Sequence, residues 1–367
     1  MPGESPLQAQ HEKAGARLGR YFDCLLPEAF ADPAAECSRA REAAALVDTN
    51  YHAFFSFTGP DRVRYLNAVL TNNIKDLASG EGNASLLLNP QGHILAEVET
   101  YALTDGLLAV SHAMARGNTA ATLEKFIIMD DVTLEDITDR TGSVAIEGPK
   151  AAMILRQMCG LEFQGLPLYT HAEATVAAVP CRVARKSLFG EMGAELIAER
   201  DALPVLWQML CAAAHAHGAG PIGYAALSAL RLEAGVPWFG YDFDQKVIPQ
   251  EAALETTHVS YTKGCYTGQE IVERVRSRGH VNRRRVGLRF AGSKMPEAGA
   301  ALSAGGNQVG HITSAAYSPA LRCAIGMGYV RREHNATGSR LQWAGGEAEV
   351  IELPVAGARA ARNQTAP

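Results

Sequence analysis

The side chains best suited to chemistry crowd into one stretch, Tyr261-Thr-Lys-Gly-Cys-Tyr-Thr-Gly-Gln-Glu270. Thr267, with Glu270 three residues on, has the spacing of a capping box. Ile271, Val272 and Val275 then continue a helical apolar stripe. The spacing predicts a helix from about Gly268. Cys265 stands just before that start, with Gly264 leaving the backbone beside it unhindered and Lys263 two residues upstream. A helix N-terminus and a neighbouring ammonium both favour thiolate over thiol. Two readings stay open. Cys265 is a thiol primed as nucleophile or transient ligand, with Lys263 tuning it and Gln269 and Glu270 shaping the turn, or it is a small hydrophobe filling space under that turn.

The run from Lys263 to Arg289 carries eight Lys and Arg (Lys263, Arg274, Arg276, Arg278, Arg283, Arg284, Arg285 and Arg289) against two acids, Glu270 and Glu273, on a chain whose formal net charge is -5. A basic island on an acidic protein points to an anionic partner. Glu270-Arg274 spacing explains part of it as a solvated helix face, but not Arg283-Arg284-Arg285.

The composition is that of a globular chain of two or three domains, 367 residues with 47% hydrophobic and 20% charged. Neither a membrane-spanning run nor a secretory leader is expected. The seven cysteines (24, 37, 159, 181, 211, 265 and 323) are odd in number and show no CxxC spacing. That argues against a disulfide framework and a resident metal or cluster site, and for a reducing, cytoplasmic setting.

The elements that would position these groups follow from pattern. Residues 1–14 are polar and expected to be a disordered tail. Helices are expected at 37–47, from Pro60 to Leu70, at 114–128, from Glu147-Gly-Pro-Lys150 with its proline in the first turn to a close at Gly160, and at 203–215 and 225–234. Strands are expected at 54–57, 84–88, 94–103, 181–187 and around 196–197, with 132–146 extended. From 286 to 352, short apolar runs alternate with Gly, Asn and Pro, the pattern of a small antiparallel barrel. The tail 357–367 is expected to be disordered. No Walker or Rossmann glycine motif is present.

Lys263-Gly-Cys-Tyr-Thr-Gly-Gln-Glu270 resembles the signature of the YgfZ family, folate-binding relatives of a mitochondrial iron-sulfur-cluster assembly factor. Gly264, Tyr266 and Gly268 belong to that motif. Phe57-Thr-Gly-Pro-Asp61, Leu70-Thr-Asn-Asn73, Leu88-Asn-Pro-Gln-Gly92, Ile146-Glu-Gly-Pro-Lys150 and Ala229-Leu-Arg-Leu-Glu-Ala-Gly-Val-Pro237 look like blocks of the wider superfamily of the glycine-cleavage T-protein, a tetrahydrofolate-dependent aminomethyltransferase. The resemblance implies an α+β fold: a ring of two interleaved α+β subdomains over 15–283, with a central folate pocket, and a C-terminal antiparallel β-barrel over 284–356. It implies tetrahydrofolate or a related folate as cofactor, with Arg231, Glu195 and Asn89 as candidate folate contacts. A helix-surface ion pair is the alternative for Arg231, and a turn-capping role for Glu195.

The sequence departs from the T-protein pattern where an Asp-Asp pair would stand; here the residues are Ala96-Glu97. Alanine at one position weakens a proton-handling role, so no appreciable aminomethyl transfer is expected. The reading is then a YgfZ-like protein that supports iron-sulfur cluster assembly or repair through Cys265, and indirectly tRNA modification, with iron-sulfur proteins or assembly factors as partners. One alternative is an enzyme, an aminomethyltransferase of the T-protein type. Another is an RNA-binding module using the arginines of 274–285; the overall charge and the lack of an RNA-binding motif speak against direct nucleic-acid binding.

Overall fold

A computed structural model describes residues 3–292 and 294–355; the expected tail at 357–367 lies outside them. Two sheets face each other and frame the site. The five-stranded sheet runs in the order Gly82–Leu88, Ile94–Ala102, Leu107–His112, His52–Thr58, Thr133–Asp136. The six-stranded sheet runs His171–Val176, Val179–Arg185, Gly193–Glu199, Thr141–Glu147, Ala45–Asp48, Gly220–Pro221. Phe54, Tyr101, Leu108 and Val110 of the first sheet meet Ala184 and Ile197 of the second in one apolar cluster.

Helices cover the outer faces. Arg62–Val69 buries Tyr65, Leu66 and Val69 against the five-stranded sheet. Ala151–Cys159 and Leu203–His215 bury Ile154, Leu155, Leu206 and Leu210 against the six-stranded one. Helix Tyr224–Ala234 is buried on nearly every side, Arg231 and Glu233 included, and each of those charges has an opposite partner. It packs on the barrel strand Asn307–Ser318, and Leu232 meets Ile325 and Met327. The barrel closes in the order Arg283–Phe290, Cys323–Arg331, Asn307–Ser318, Ala301–Ala304, Arg340–Trp343, Gly346–Ile351, antiparallel throughout. The expected α+β architecture with a C-terminal antiparallel barrel is the observed one.

Four local expectations need correction. Residues 3–14 are built into the fold: Gly3–Glu4 pairs with Cys24–Ala29, and helix Gln8–Lys13 buries His11 against Asp48. A polar stretch is ordered here because its one buried imidazole finds a carboxylate. The helix expected at 37–47 runs from Pro33 to Glu42, and Ala45–Asp48 is a strand buried on both faces; an unbroken apolar run fits either element. The extended 132–146 is two strands separated by a turn at Thr138–Arg140. Finally, helix Gln269–Arg278 starts after Gly268, and no side chain caps it. The capping box at Thr267 does not form.

Gly268 explains that last difference. Its φ is +84°, and a Cβ there would lie 2.7 Å from the Asn89 carbonyl oxygen and 3.0 Å from Leu88 Cβ. A left-handed, side-chain-free residue lets the loop press against the turn Leu88–Gly92. Gly92 returns the contact, with Ile271 3.0 Å from where its Cβ would stand. The two glycine-bearing motifs therefore exist partly to pack on each other.

Candidate functional site

A cavity of about 730 Å³ opens between the two sheets, the irregular segment after helix Tyr224–Ala234, and the barrel. Its walls include the aromatic side chains of Tyr51, Tyr169 and Trp238, and its floor is a chain of charged groups.

Strand Ile94–Ala102 sets that floor. Its alternation turns Ile94, Ala96 and Val98 into the apolar core and leaves Glu97 and Glu99 on the other face, toward the cavity. Glu97 Oε1 accepts from His258 Nε2 at 3.0 Å, and Oε2 from His112 Nε2 at 3.2 Å. Burial would push this carboxyl up, but the two imidazole donors outweigh it and hold it well below the usual carboxylate range. His258 is fixed in turn by Thr257, 2.7 Å from its Nδ1. His112 Nδ1 is buried with no hydrogen-bond partner. Among the described residues no three His, Cys, Asp or Glu side chains are arranged to hold a metal ion.

The six-stranded sheet adds a second network. Lys186 Nζ lies 2.9 Å from Glu99 and 2.7 Å from Glu195 Oε2. Glu195 Oε1 accepts from His52 Nδ1 at 2.8 Å and from Ser143 Oγ at 2.6 Å. Burial works against the Lys186 ammonium, yet Glu195 and Glu99 more than compensate and raise its pKa well above the ordinary value. Burial likewise opposes ionisation of Glu195, while His52 and Lys186 hold its pKa well below the ordinary value. Burial keeps His52 below its ordinary value in spite of Glu195. The turn Ser187–Glu191 over this network is pinned by Glu147, which accepts from the N–H groups of Leu188, Phe189 and Glu191 and from Ser187 Oγ.

Of the residues singled out from the sequence, Glu97, Arg284 and Arg285 line the cavity, whereas the candidate folate contacts Arg231, Glu195 and Asn89 and the octapeptide do not. Arg231 is buried in an ion pair with Asp242, donates to the Val236 carbonyl, and lies 4.2 Å from the Trp238 ring centroid. It positions the segment that carries Trp238. Glu195 lies under the cavity, fully buried, with both oxygens already accepting. Asn89 holds its own turn, its Oδ1 accepting from the His93 N–H at 2.9 Å.

The octapeptide forms a separate structure on the outer side of the five-stranded sheet. Lys263 Nζ donates to the carbonyls of Asn67, Leu70 and Asn72, closing the C-terminus of helix Arg62–Val69. Burial lowers its pKa to about 8. Tyr266 is buried under it, with the ammonium 5.2 Å from the ring centroid. The Tyr266 carbonyl accepts from the Gln269 N–H. Glu270 pairs with Arg274 on the surface. Gly264 has no heavy atom within 4 Å of where its Cβ would stand. Cys265 is exposed, the one exposed cysteine of the seven.

Folding also dissolves most of the basic island. Arg274 pairs with Glu270, Arg276 with Glu273, Arg283 with Glu251, Arg284 with Glu255 and Arg289 with Glu349. Three of these acids come from outside the run, so the sequence window overstated the local charge.

Sequence reasoning weighed Ala96-Glu97 as a weakened pair and did not single out His52, Glu99, His112, Lys186 or His258. A usable signal existed for part of this set. Period-two alternation along 94–102 places Glu97 and Glu99 on one face and Ala96 on the other. His258 sits in a segment without regular structure, where no pattern announces direction.

A carboxylate-floored cavity between paired α+β sheets and a small barrel defines a class of proteins, and the comparisons identify it. The GCVT N-terminal domain family matches residues 7–263, and the glycine cleavage T-protein C-terminal barrel domain family matches residues 283–355. The chain therefore belongs to the glycine cleavage T-protein family. It is 30% identical over 329 residues to an aminomethyltransferase of Rubrobacter xylanophilus, covering 90% of this chain and 87% of that one. It is 29% identical over 343 residues to an aminomethyltransferase of Saccharopolyspora erythraea, covering 93% of both. The crystal structure of glycine cleavage system aminomethyltransferase T from Bartonella henselae superposes with a TM-score of 0.88 at 26% identity, covering 96% of this chain and 98% of that one. These matches support the T-protein superfamily without singling out its YgfZ branch.

Proposed function

We propose that the protein is a tetrahydrofolate-dependent aminomethyltransferase of the glycine-cleavage T-protein type. The observation that carries this reading is the Glu97 carboxylate, held ionised on the cavity floor between His112 and His258. The expectation of no transfer rested on Ala96, and Ala96 is a core residue fully buried away from the cavity. The acid of the pair that faces the cavity is present.

The cavity suits a folate. Its volume falls within the roughly 300–1,000 Å³ typical of small-molecule sites, and it is lined by Tyr51, Tyr169 and Trp238 beside a few convergent polar groups. A bound tetrahydrofolate would supply the nitrogen that accepts the one-carbon unit. The chain's own residues supply the rest. Glu97 is the group placed to balance positive charge developing at the aminomethyl carbon and to accept a proton there. His112 and His258 orient its two oxygens. Lys186 and Glu195 fix the neighbouring wall by neutralising each other. The test is a reconstituted assay of aminomethyl transfer from a lipoyl carrier to tetrahydrofolate; absence of turnover in the wild type, with folate binding intact, removes the reading.

A second reading rests on a different observation, the exposure of Cys265 on a loop remote from the cavity lining. In it the protein supports iron-sulfur cluster assembly or repair, as the octapeptide resemblance implies. Lys263 gives no support to thiol activation, because its ammonium is engaged by three carbonyls. Complementation by Cys265→Ser in cells lacking the native factor tests it; full rescue ends this reading.

A further inference from the structure

One arginine of the basic island is treated differently from its neighbours. Arg283, Arg284 and Arg289, on the same barrel strand, each have a carboxylate partner. Arg285 has none within ion-pair distance among the described residues. Its Nε donates to the Ala252 carbonyl at 2.9 Å, and its Nη1 lies 3.2 Å from Met327 Sδ. The buried acid nearest in influence, Asp242, is already saturated by Arg231, the Trp238 N–H, Thr313 and Ser314. Arg285 is partly buried and lines the cavity. A guanidinium removed from bulk water without an anion is costly to keep, and arginine does not discharge by losing its proton. Asn335 and Thr337 add neutral polar groups to the barrel side of the same wall.

We propose that Arg285 is the docking group for a carboxylate tail on the cavity's ligand. The proposal rests on the folate reading, and there the tail is the glutamate carried by the p-aminobenzoyl group. The cavity then has two chemically distinct ends. The sheets supply Glu97 and its histidines for the reacting head. The barrel supplies the one cation in the strand that the fold leaves without an acid. The neutral contacts already made by Nε and Nη1 fix the plane of the guanidinium, so the free Nη2 edge is presented in a set direction. The ligand class that satisfies both ends is a reduced pterin with an anionic tail, in preference to one that ends at the benzoyl group.

The experiment compares tetrahydrofolate with the primary amide of tetrahydropteroate, which keeps the head and the benzoyl carbonyl and lacks both the glutamate and any carboxylate. Isothermal titration of each into the full wild-type chain needs no variant. The expected result is tighter binding of tetrahydrofolate by about tenfold or more, the scale of one charge-assisted hydrogen bond. Arg285→Gln should bring tetrahydrofolate down to the level of the amide and leave the amide unchanged. Arg285→Lys should recover part of the difference, and Arg289→Gln on the same strand should leave both affinities as they were. Equal wild-type affinities for the two ligands overturn the proposal while the folate reading stands. Failure of both ligands to bind overturns the two together.

Discussion

Replacing Arg231 by methionine separates a ligand contact from a structural one. The guanidinium is 1% exposed, its partner Asp242 is fully buried, and the side chain covers one face of Trp238 at 4.2 Å. Removing one partner of a buried pair typically costs about 3–5 kcal/mol, because the other charge is left uncompensated. Asp242 would keep the Trp238 N–H at 3.0 Å and the hydroxyls of Thr313 and Ser314 at 2.7 Å each, which argues for about 3–4 kcal/mol, the lower part of that range. Arg231→Met retains most of the volume, so cavity formation adds little. Asp242 also fixes the pH dependence. Burial would raise its pKa, but Arg231 and the hydrogen bonds bring it below the ordinary value. Its contribution is therefore present above the ordinary carboxylate pKa and lost as the pH falls through the lowered one. Equilibrium unfolding in urea at neutral pH should show the loss for Arg231→Met, and it should shrink in acid. Arg231→Met/Asp242→Asn should be less destabilised than the two single changes added together. Refutation would come from a variant within about 1 kcal/mol of wild type, the ordinary scale of a single change, that has nevertheless lost tetrahydrofolate binding. Arg231 would then be a ligand contact, and the hub role assigned to it would be wrong.

Glu97→Gln should fold normally and lower aminomethyl transfer by about 100-fold or more, the scale of a positioned acid-base group, measured as kcat in the reconstituted assay. Glu147 is pushed up to about 7, chiefly by burial and against its hydrogen bonds. The folded state thus holds that proton longer than the unfolded one, so its contribution is full below the ordinary carboxylate value and declines as the pH rises toward about 7; urea midpoints from pH 5 to 8 should fall in the wild type and flatten in Glu147→Gln. A limiting dose of iodoacetamide on the native protein should label Cys265 before the other six thiols, as read by peptide mass mapping, because it alone is exposed. Nucleic-acid binding should be weak and lost steeply with salt, since Arg274, Arg276, Arg283, Arg284 and Arg289 have acids beside them; tight tRNA binding at physiological salt would contradict this.

The elements that proved legible are those whose pattern is local. Helix Leu203–His215 and the hairpin of Gly82–Leu88 with Ile94–Ala102 follow from periodicity and a turn between them. The barrel follows from evenly spaced short strands. What was not legible depends on partners distant in sequence. Residues 3–14 are ordered by Asp48, 37 positions beyond His11. The capping box failed because Asn89 and Leu88 press on Gly268 and demand a left-handed residue there. The charge of 263–289 looked unpaired because Glu251, Glu255 and Glu349 lie outside the window.

The same distinction bears on how the two motifs divide the work. The octapeptide drew attention because it gathers a thiol, an ammonium and two glycines in eight residues. In the fold its ammonium closes one helix, its second glycine seats against the Asn89 turn, and its tyrosine is buried beneath the lysine. These contacts tie helix Arg62–Val69, the Leu88–Gly92 turn and helix Gln269–Arg278 into one unit. The turn at Leu88–Gly92 leads directly into strand Ile94–Ala102, whose alternation aims Glu97 at the cavity. A shift of one residue in that turn would exchange Glu97 for Ala96 on the cavity face. The signature can therefore matter to the chemistry without touching a ligand, by fixing the register of the strand that carries the acid.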